Sequence, residues 1–454
     1  MQKDKKYSFL GWLSLLCLLI MPGLVGCGNE AEPEGPIEIT VAGIYVDYDI
    51  QDAARDFNAS QDQYVVKIEE YYDRSAYDDY SDVIELLQRN VALDSSGIDL
   101  VCLNNLNVSA MADAGAFEDL NPFLDNGESI RREDLFESIL NSFIMGGKLI
   151  AIPRDFTMWC MVGRTEDLGD RTEWTLREML DFAKEHPEQK LFQTGDVVML
   201  RFYTAAEDLF IKEQDGKIAF DAEECRDYLK LLKSLQDAEW KIEDSPMLRL
   251  QNREALLDYH CFITDFYDIQ YMNAVFGTDE LTYMGLPASS GIGIRIEAKL
   301  CAMSSQSDCK EGAWAFLEFY LSKEQQDINL LSIPMNKELF ELKAQDYLTP
   351  IGYAYDADGN VMYDESGRPI PAEVRKQESG SWEYTFTDGK PEEVEVLREL
   401  IERGGTVENF TQDYITINMI LSEETPPYFS GEKDLDEVVD IIGNCWLLYW
   451  QEKE

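Results

Sequence analysis

Histidine is nearly missing, basic charge is scarce, and the cysteines do not cluster. Two histidines stand in 454 residues. His186 precedes Pro187 at a helix end, where a polar or cationic side chain meets the dipole. His260 lies in an apolar stretch and reads as a satisfied core histidine rather than a base. There is no His-Glu-x-x-His helix, no Gly-x-Ser-x-Gly elbow and no Gly-x-x-x-x-Gly-Lys loop, so the usual signatures of zinc peptidases, serine hydrolases and phosphate-loop enzymes are missing. The run Asp356-Ala357-Asp358-Gly359-Asn360 resembles a calcium loop, but the sixth position is Val361 and the twelfth Gly367, where glycine and glutamate are needed. A hairpin turn through Asp358-Gly359 is the expectation there. No metal or cofactor is expected. Lysine and arginine number 39 against 88 acidic residues, a net charge of −49. Nucleic acid requires clustered Lys and Arg, so it is excluded as a partner. The same charge disfavours direct adsorption to an anionic membrane and suits a solvated acidic surface outside the cell. Of nine cysteines, Cys102, Cys160, Cys225, Cys261, Cys301, Cys309 and Cys445 are scattered, odd in number and free of Cys-x-x-Cys. Neither a zinc site nor a disulfide framework follows from that spacing. Most of them read as small buried apolar residues, and free thiols in an exported chain hint at a reducing habitat.

The longest apolar run is N-terminal. Lys3, Lys5 and Lys6 precede it, Phe9 to Val25 form it, and Pro22-Gly23 break it near the end. A basic start, an apolar middle and small residues at the cut make a secretory signal. Leu24-Val25-Gly26-Cys27 resembles the lipobox of bacterial lipoproteins. That resemblance implies removal of residues 1–26, lipid on Cys27 and anchoring at the outer face of the cell membrane. The alternative is an uncleaved spanning helix, since the run approaches the ~20 residues a bilayer needs. The stretch 27–36, rich in Gly, Pro and Glu, reads as a flexible tether. The remaining length suits two or three domain-sized cores.

Beyond the tether, Ile37–Tyr45 is β-branched and reads as a strand, followed by a helix with Ile50, Ala53, Ala54 and Phe57 on one face. Tyr64–Glu70 alternates as a second strand, Val83–Val91 is helical, and Ile98–Leu103 is a short buried strand. Strands alternating with helices predict a parallel α/β sheet. Further on, Thr175-Leu176-Arg177-Glu178 and Ser322-Lys323-Glu324-Gln325 are capping boxes, Phe276-Gly277 is a helix stop, and residues from Glu392 onward are helical by period. Residues 353–390 read as turns joining short strands.

Several of these segments resemble, in order, the extracellular solute-binding proteins that serve sugar-type ABC importers. Asp99-Leu100-Val101-Cys102-Leu103-Asn104 is similar to the family strand that ends at the ligand cleft. Ala114-Gly115-Ala116-Phe117-Glu118-Asp119-Leu120-Asn121-Pro122 resembles the element after it. Gly147-Lys148-Leu149-Ile150-Ala151-Ile152-Pro153 resembles the strand crossing to the second lobe, although the family commonly has an aromatic where Leu149 stands. Gly285-Leu286-Pro287-Ala288-Ser289-Ser290-Gly291, Glu311 to Leu317 and Ile333-Pro334-Met335-Asn336-Lys337 resemble the returning segment, a Trp-containing helix and the element beyond. The resemblance implies an α/β, two-lobed periplasmic-binding-protein-like fold with a central cleft and crossing hinge segments. The lobes would comprise 37–152 plus 291–335, and 153–290 plus 336–454. The implied function is capture of a carbohydrate or similar polar solute by a monomeric, non-enzymatic protein, for delivery to ABC permease subunits.

Ligands of open α/β sheets sit beyond the carboxyl ends of strands, and sugars need planar polar groups and aromatic faces. The candidates are therefore Tyr45 and Asp47 after the first strand, Asn104 and Asn105 after the third, Arg154, Phe156 and Trp159 after Pro153, Asp265 and Tyr267 after the apolar run to Thr264, and Ser289 at the return. Any of them could instead pack or cap; Asp265 could simply start the helix to Phe276. Two other functions stay open. A glycoside hydrolase needs only two placed carboxylates, and a surface adhesion lipoprotein needs no small ligand.

Overall fold

A computed structural model describes residues 35–72, 80–92, 97–127, 129–193, 210–214, 217–236, 245–287, 293–328, 332–356, 359–364, 366–370, 372, 376–379, 382–407 and 412–453. The signal, Cys27 and most of the tether lie outside these residues, as do Ser289, Ser290 and Asp358.

The first sheet follows the hydrophobic pattern of the chain. Ile37–Gly43 runs parallel to Tyr64–Glu70 on one side and to Leu100–Cys102 on the other. Cys301–Met303 adds antiparallel to Leu100–Cys102 and completes four strands. The helix Tyr48–Ser60 buries Ile50, Ala53, Ala54 and Phe57, the 3.6-residue stripe a helix on a sheet requires. Phe57 meets Phe316 and Phe319 of the helix Lys310–Tyr320 edge-on.

The second sheet has one spine, the ten-residue strand Asp155–Arg164. Ala255–Ile263 lines one edge of it, Leu281–Met284 and Arg295–Glu297 succeed each other along the other edge, and Ile333–Pro334 pairs with its first two residues, all antiparallel. Lys190–Phe192 and Thr406–Val407 add in parallel farther out. Alternate residues of the spine serve different cores. Met158, Cys160 and Val162 join a core continuous with the first sheet. Trp159 and Met161 join a second core with Tyr228, Leu229, Ile442 and Trp446 from the helices Ala222–Gln236 and Leu435–Lys453. A strand covered on both faces needs apolar residues at every position, and DFTMWCMVGR supplies them through its middle.

Among the described residues the chain passes between the sheets at three places. Ala151 bridges Ala302 of the first sheet just before Asp155 enters the second. Arg295–Glu297 pairs in the second sheet and Cys301–Met303 in the first, so the return falls at Ala298–Leu300. The third passage lies between the helix Lys323–Asp327 and Ile333–Pro334. The capping box at Thr175 and the left-handed stop at Gly277 form as the sequence predicts. Within 355–369 Tyr355 bridges Val361 and Tyr363 bridges Pro369, with Gly359 at φ 82°. Gln270 holds the C-terminal part in place: its amide nitrogen donates to Tyr347 Oη at 3.1 Å and to the Thr387 carbonyl at 3.2 Å, and its oxygen accepts from the Thr387 amide at 2.9 Å.

Trp159 is fully buried, stacked on Phe262 with centroids 5.7 Å apart, and its Nε1 donates to the Tyr259 carbonyl at 3.2 Å. Trp159→Ala should therefore cost about 3–5 kcal/mol by urea unfolding, the usual loss for an emptied aromatic site. Unchanged stability would contradict this packing.

Candidate functional site

Polar side chains gather where the strands of the first sheet end and the chain crosses. Tyr45, 43% exposed, sets its ring 5.1 Å from that of Tyr72, which follows the neighbouring strand. Parallel pairing of Ile37–Gly43 with Tyr64–Glu70 places both tyrosines at one sheet end. Asp47 opens the helix Tyr48–Ser60, and its carboxylate accepts from Asn104 Nδ2 at 2.9 Å. Asn105 beside it takes φ 63°, a left-handed conformation that asparagine tolerates better than most residues. These four sequence candidates thus stand at adjacent strand ends.

From Asp47 a chain of polar contacts runs across the crossings. The Lys299 ammonium lies 4.0 Å from Asp47 and donates to both oxygens of Asp49 at 2.8 and 2.9 Å. Arg154 donates to Asp49 Oδ2 at 3.3 Å and to Asp155 Oδ2 at 2.7 Å, with its guanidinium over the Tyr320 ring. The Ser332 hydroxyl donates to the other oxygen of Asp155. Burial alone would raise the Asp49 pKa, but the hydrogen bond from Lys299 and the charges of Lys299 and Arg154 outweigh it and hold the group below its ordinary value. Tyr320 and the carboxylates of Asp155 and Asp49 likewise outweigh burial and keep Arg154 above its own.

This network borders a cavity of about 700 Å³ lined by Tyr48, Asp49, Arg154, Phe156, Lys299 and Ser332, among others. Phe156 belongs mainly to the core, edge-on to Phe136. A second cavity of about 360 Å³ shares Ser332 and includes Asp265 and Tyr267. There Asp265 acts as a helix cap, accepting from the Tyr267 amide at 2.7 Å, while Tyr267 meets Tyr347 edge-on at 4.9 Å. The structure therefore groups Asp47, Asn104 and Arg154 along one polar chain, with Tyr45 at the same sheet end, and puts Asp265 and Tyr267 around a neighbouring cavity. Trp159 faces neither cavity, because its side of the spine points into the second core. Ser289 lies outside the described residues. Sequence reasoning missed Asp49, Tyr72, Lys299 and Ser332. Only Tyr72 carried a local signal, an aromatic just past a parallel strand; the others owe their place to the crossings.

A carboxylate with a lowered pKa stabilises the fold above its unfolded value of about 3.9, and that contribution is lost as pH falls through the lower folded value. Asp49→Asn should cost about 1–3 kcal/mol near neutral pH, since Arg154 keeps Asp155 as a partner. In urea unfolding from pH 6 to pH 2, the gap between wild type and variant should hold down to about pH 4 and then shrink. A gap that stays constant to pH 2 would contradict the ion network.

Comparison with known proteins agrees with this geometry. No curated protein matches the chain. Among solved structures it is similar to an extracellular solute-binding protein family 1 from Alicyclobacillus acidocaldarius, at 12% identity and TM-score 0.51, over 92% of this chain and 100% of that one. Two further similar structures are a cyclic alpha-maltosyl-1,6-maltose binding protein from Arthrobacter globiformis, at 14% identity and TM-score 0.46 over 91% of this chain and 99% of that one, and maltose-bound MalE3 of T. maritima, at 16% identity and TM-score 0.46 over 91% and 100%. The first establishes the two-lobed binding-protein fold. The family model described as bacterial extracellular solute-binding protein matches residues 52–346, and the chain belongs to that family.

Proposed function

We propose that the chain captures a carbohydrate or similar polar solute outside the cell and hands it to the permease of an ABC importer. The observation that carries this reading is the tyrosine pair Tyr45–Tyr72 beside the Asp47–Asn104 hydrogen bond at the sheet end. A tyrosine face suits the apolar side of a sugar ring, and a fixed carboxylate and carboxamide suit its hydroxyls. Family membership supports solute binding. The closing bodies in this reading are the two lobes expected from the sequence. Closure is driven by tighter binding to the closed form.

A ligand that binds only the folded chain raises its melting temperature by mass action. One sugar of a broad panel should do so, and Tyr45→Ala should weaken its binding about tenfold, the loss of about 1.4 kcal/mol. No shift with any sugar, peptide or polar metabolite would overturn solute capture. Steady release of free sugar from an oligosaccharide would favour a hydrolase instead.

The anchor is part of the same proposal. Among the described residues no helix is long and apolar enough to cross a membrane, and the family is extracellular. Lipid on Cys27 would hold the binder near its permease and keep its local concentration high. Cys27→Ala should appear in the medium with unchanged solute affinity and lost uptake, as measured by fractionation and calorimetry. Retention of the variant in the membrane would contradict the anchor.

A further inference from the structure

Two pairs of cysteines remote in sequence face each other across antiparallel strands. Cys102 is the register partner of Cys301 in the first sheet, and Cys160 that of Cys261 in the second. Around the first pair, the Leu103 amide donates to the Leu300 carbonyl at 3.0 Å and the Ser304 amide to the Asp99 carbonyl at 2.9 Å. Those neighbours are the hydrogen-bonded positions of the ladder, so Cys102 and Cys301 occupy a non-hydrogen-bonded position. There the Cα atoms lie about 4.5 Å apart and the side chains come closest. A disulfide needs Cα atoms about 4.4–6.8 Å apart, so this position can close with little backbone movement. In the second pair the Cys160 thiol donates to the Cys261 carbonyl, with Sγ 3.9 Å from the oxygen. All four cysteines are buried, unlike Cys309 and Cys445, and none lines the two cavities.

We propose that Cys102–Cys301 and Cys160–Cys261 are two oxidative modification sites, each closing to a disulfide by exchange with a low-molecular-weight disulfide while the chain folds outside the cell. One thiolate attacks a sulfur of RSSR, forming a mixed disulfide and releasing RS⁻. The opposite thiolate then attacks the protein sulfur of that mixed disulfide and releases the second RS⁻. Each pair gives up two protons and two electrons, and RSSR leaves as two RSH. The first bond staples the strand that leads into Asn104 to the strand that follows Lys299. The second staples the spine to Ala255–Ile263. In the folded chain the facing cysteine and burial hold the Cys102 and Cys261 thiols well above their ordinary values. Thiolate is then scarce, and exchange belongs to folding or local opening rather than to the closed native state.

The test is a disulfide map of the purified full chain after it refolds from denaturant in reduced and oxidised glutathione. After alkylation and digestion without reductant, mass spectrometry should find Cys102 joined to Cys301 and Cys160 joined to Cys261. Each joined pair should be two hydrogens lighter than its separate peptides, and the oxidised chain should melt above the reduced one. Cys301→Ala should leave Cys102 unjoined and the other pair intact. Other pairings in the majority, glutathione retained on these four cysteines, or all four left as thiols would overturn the proposal. Because the wild-type map needs no substitution, a variant that fails to fold does not weaken it.

Discussion

Arg154 sits at the first crossing, its side chain 8% exposed, held between the adjacent Asp155, which opens the spine strand, and Asp49 on the first helix of the other lobe. Lys299 from the second crossing shares Asp49, and Ser332 from the third shares Asp155. A guanidinium this deep is costly unless its charge is met. Here each crossing contributes to meeting it, so the relation of the two lobes and the satisfaction of one cation are the same constraint. Removing a partner disturbs a crossing as well as a contact. The arrangement also explains why a chain of net charge −49 brings two cations to this place.

The network has a second consequence. With Lys299 and Arg154 committed to Asp49 and Asp155, the strand-end edge beyond them carries Tyr45, Tyr72, Asp47 and Asn104, a mixture of aromatic face and hydrogen-bonding groups. Such an edge suits a neutral, hydroxyl-rich solute better than a strongly charged one, whose desolvation would need an unpaired counter-charge. The spine strand supports the crossings from the other side. It is buried on both faces, and four strands from along the chain pair with it.

Local patterns carried most of the first lobe. The stripe Ile50, Ala53, Ala54, Phe57 and the alternation of Tyr64–Glu70 each specify an element through its own period, and both form as read. The cap at Thr175 and the stop at Gly277 are legible for the same reason: their chemistry lies within a few residues. Trp159 shows the limit. An aromatic after Pro153 looks like a cleft residue, but whether alternate positions of a strand meet solvent or a second core depends on helices some 60 to 290 residues later. Asp49 and Lys299 meet across 250 residues of chain, and no spacing rule reports such a contact. Five of the seven described cysteines are buried, as their scatter suggests for most of them, yet the pairing of four of them appears only in the strand register. Asp265 fulfils both readings at once, as a helix cap that also borders a cavity.

The central claim is that two lobes close on a polar solute about crossings fixed by the Arg154 network. Small-angle X-ray scattering of the chain with and without the solute that raises its melting temperature tests this most directly. The account predicts a smaller radius of gyration on binding, with a scattering curve that a rigid-body rotation of the lobes about the crossings reproduces. Saturating solute with an unchanged curve would contradict it.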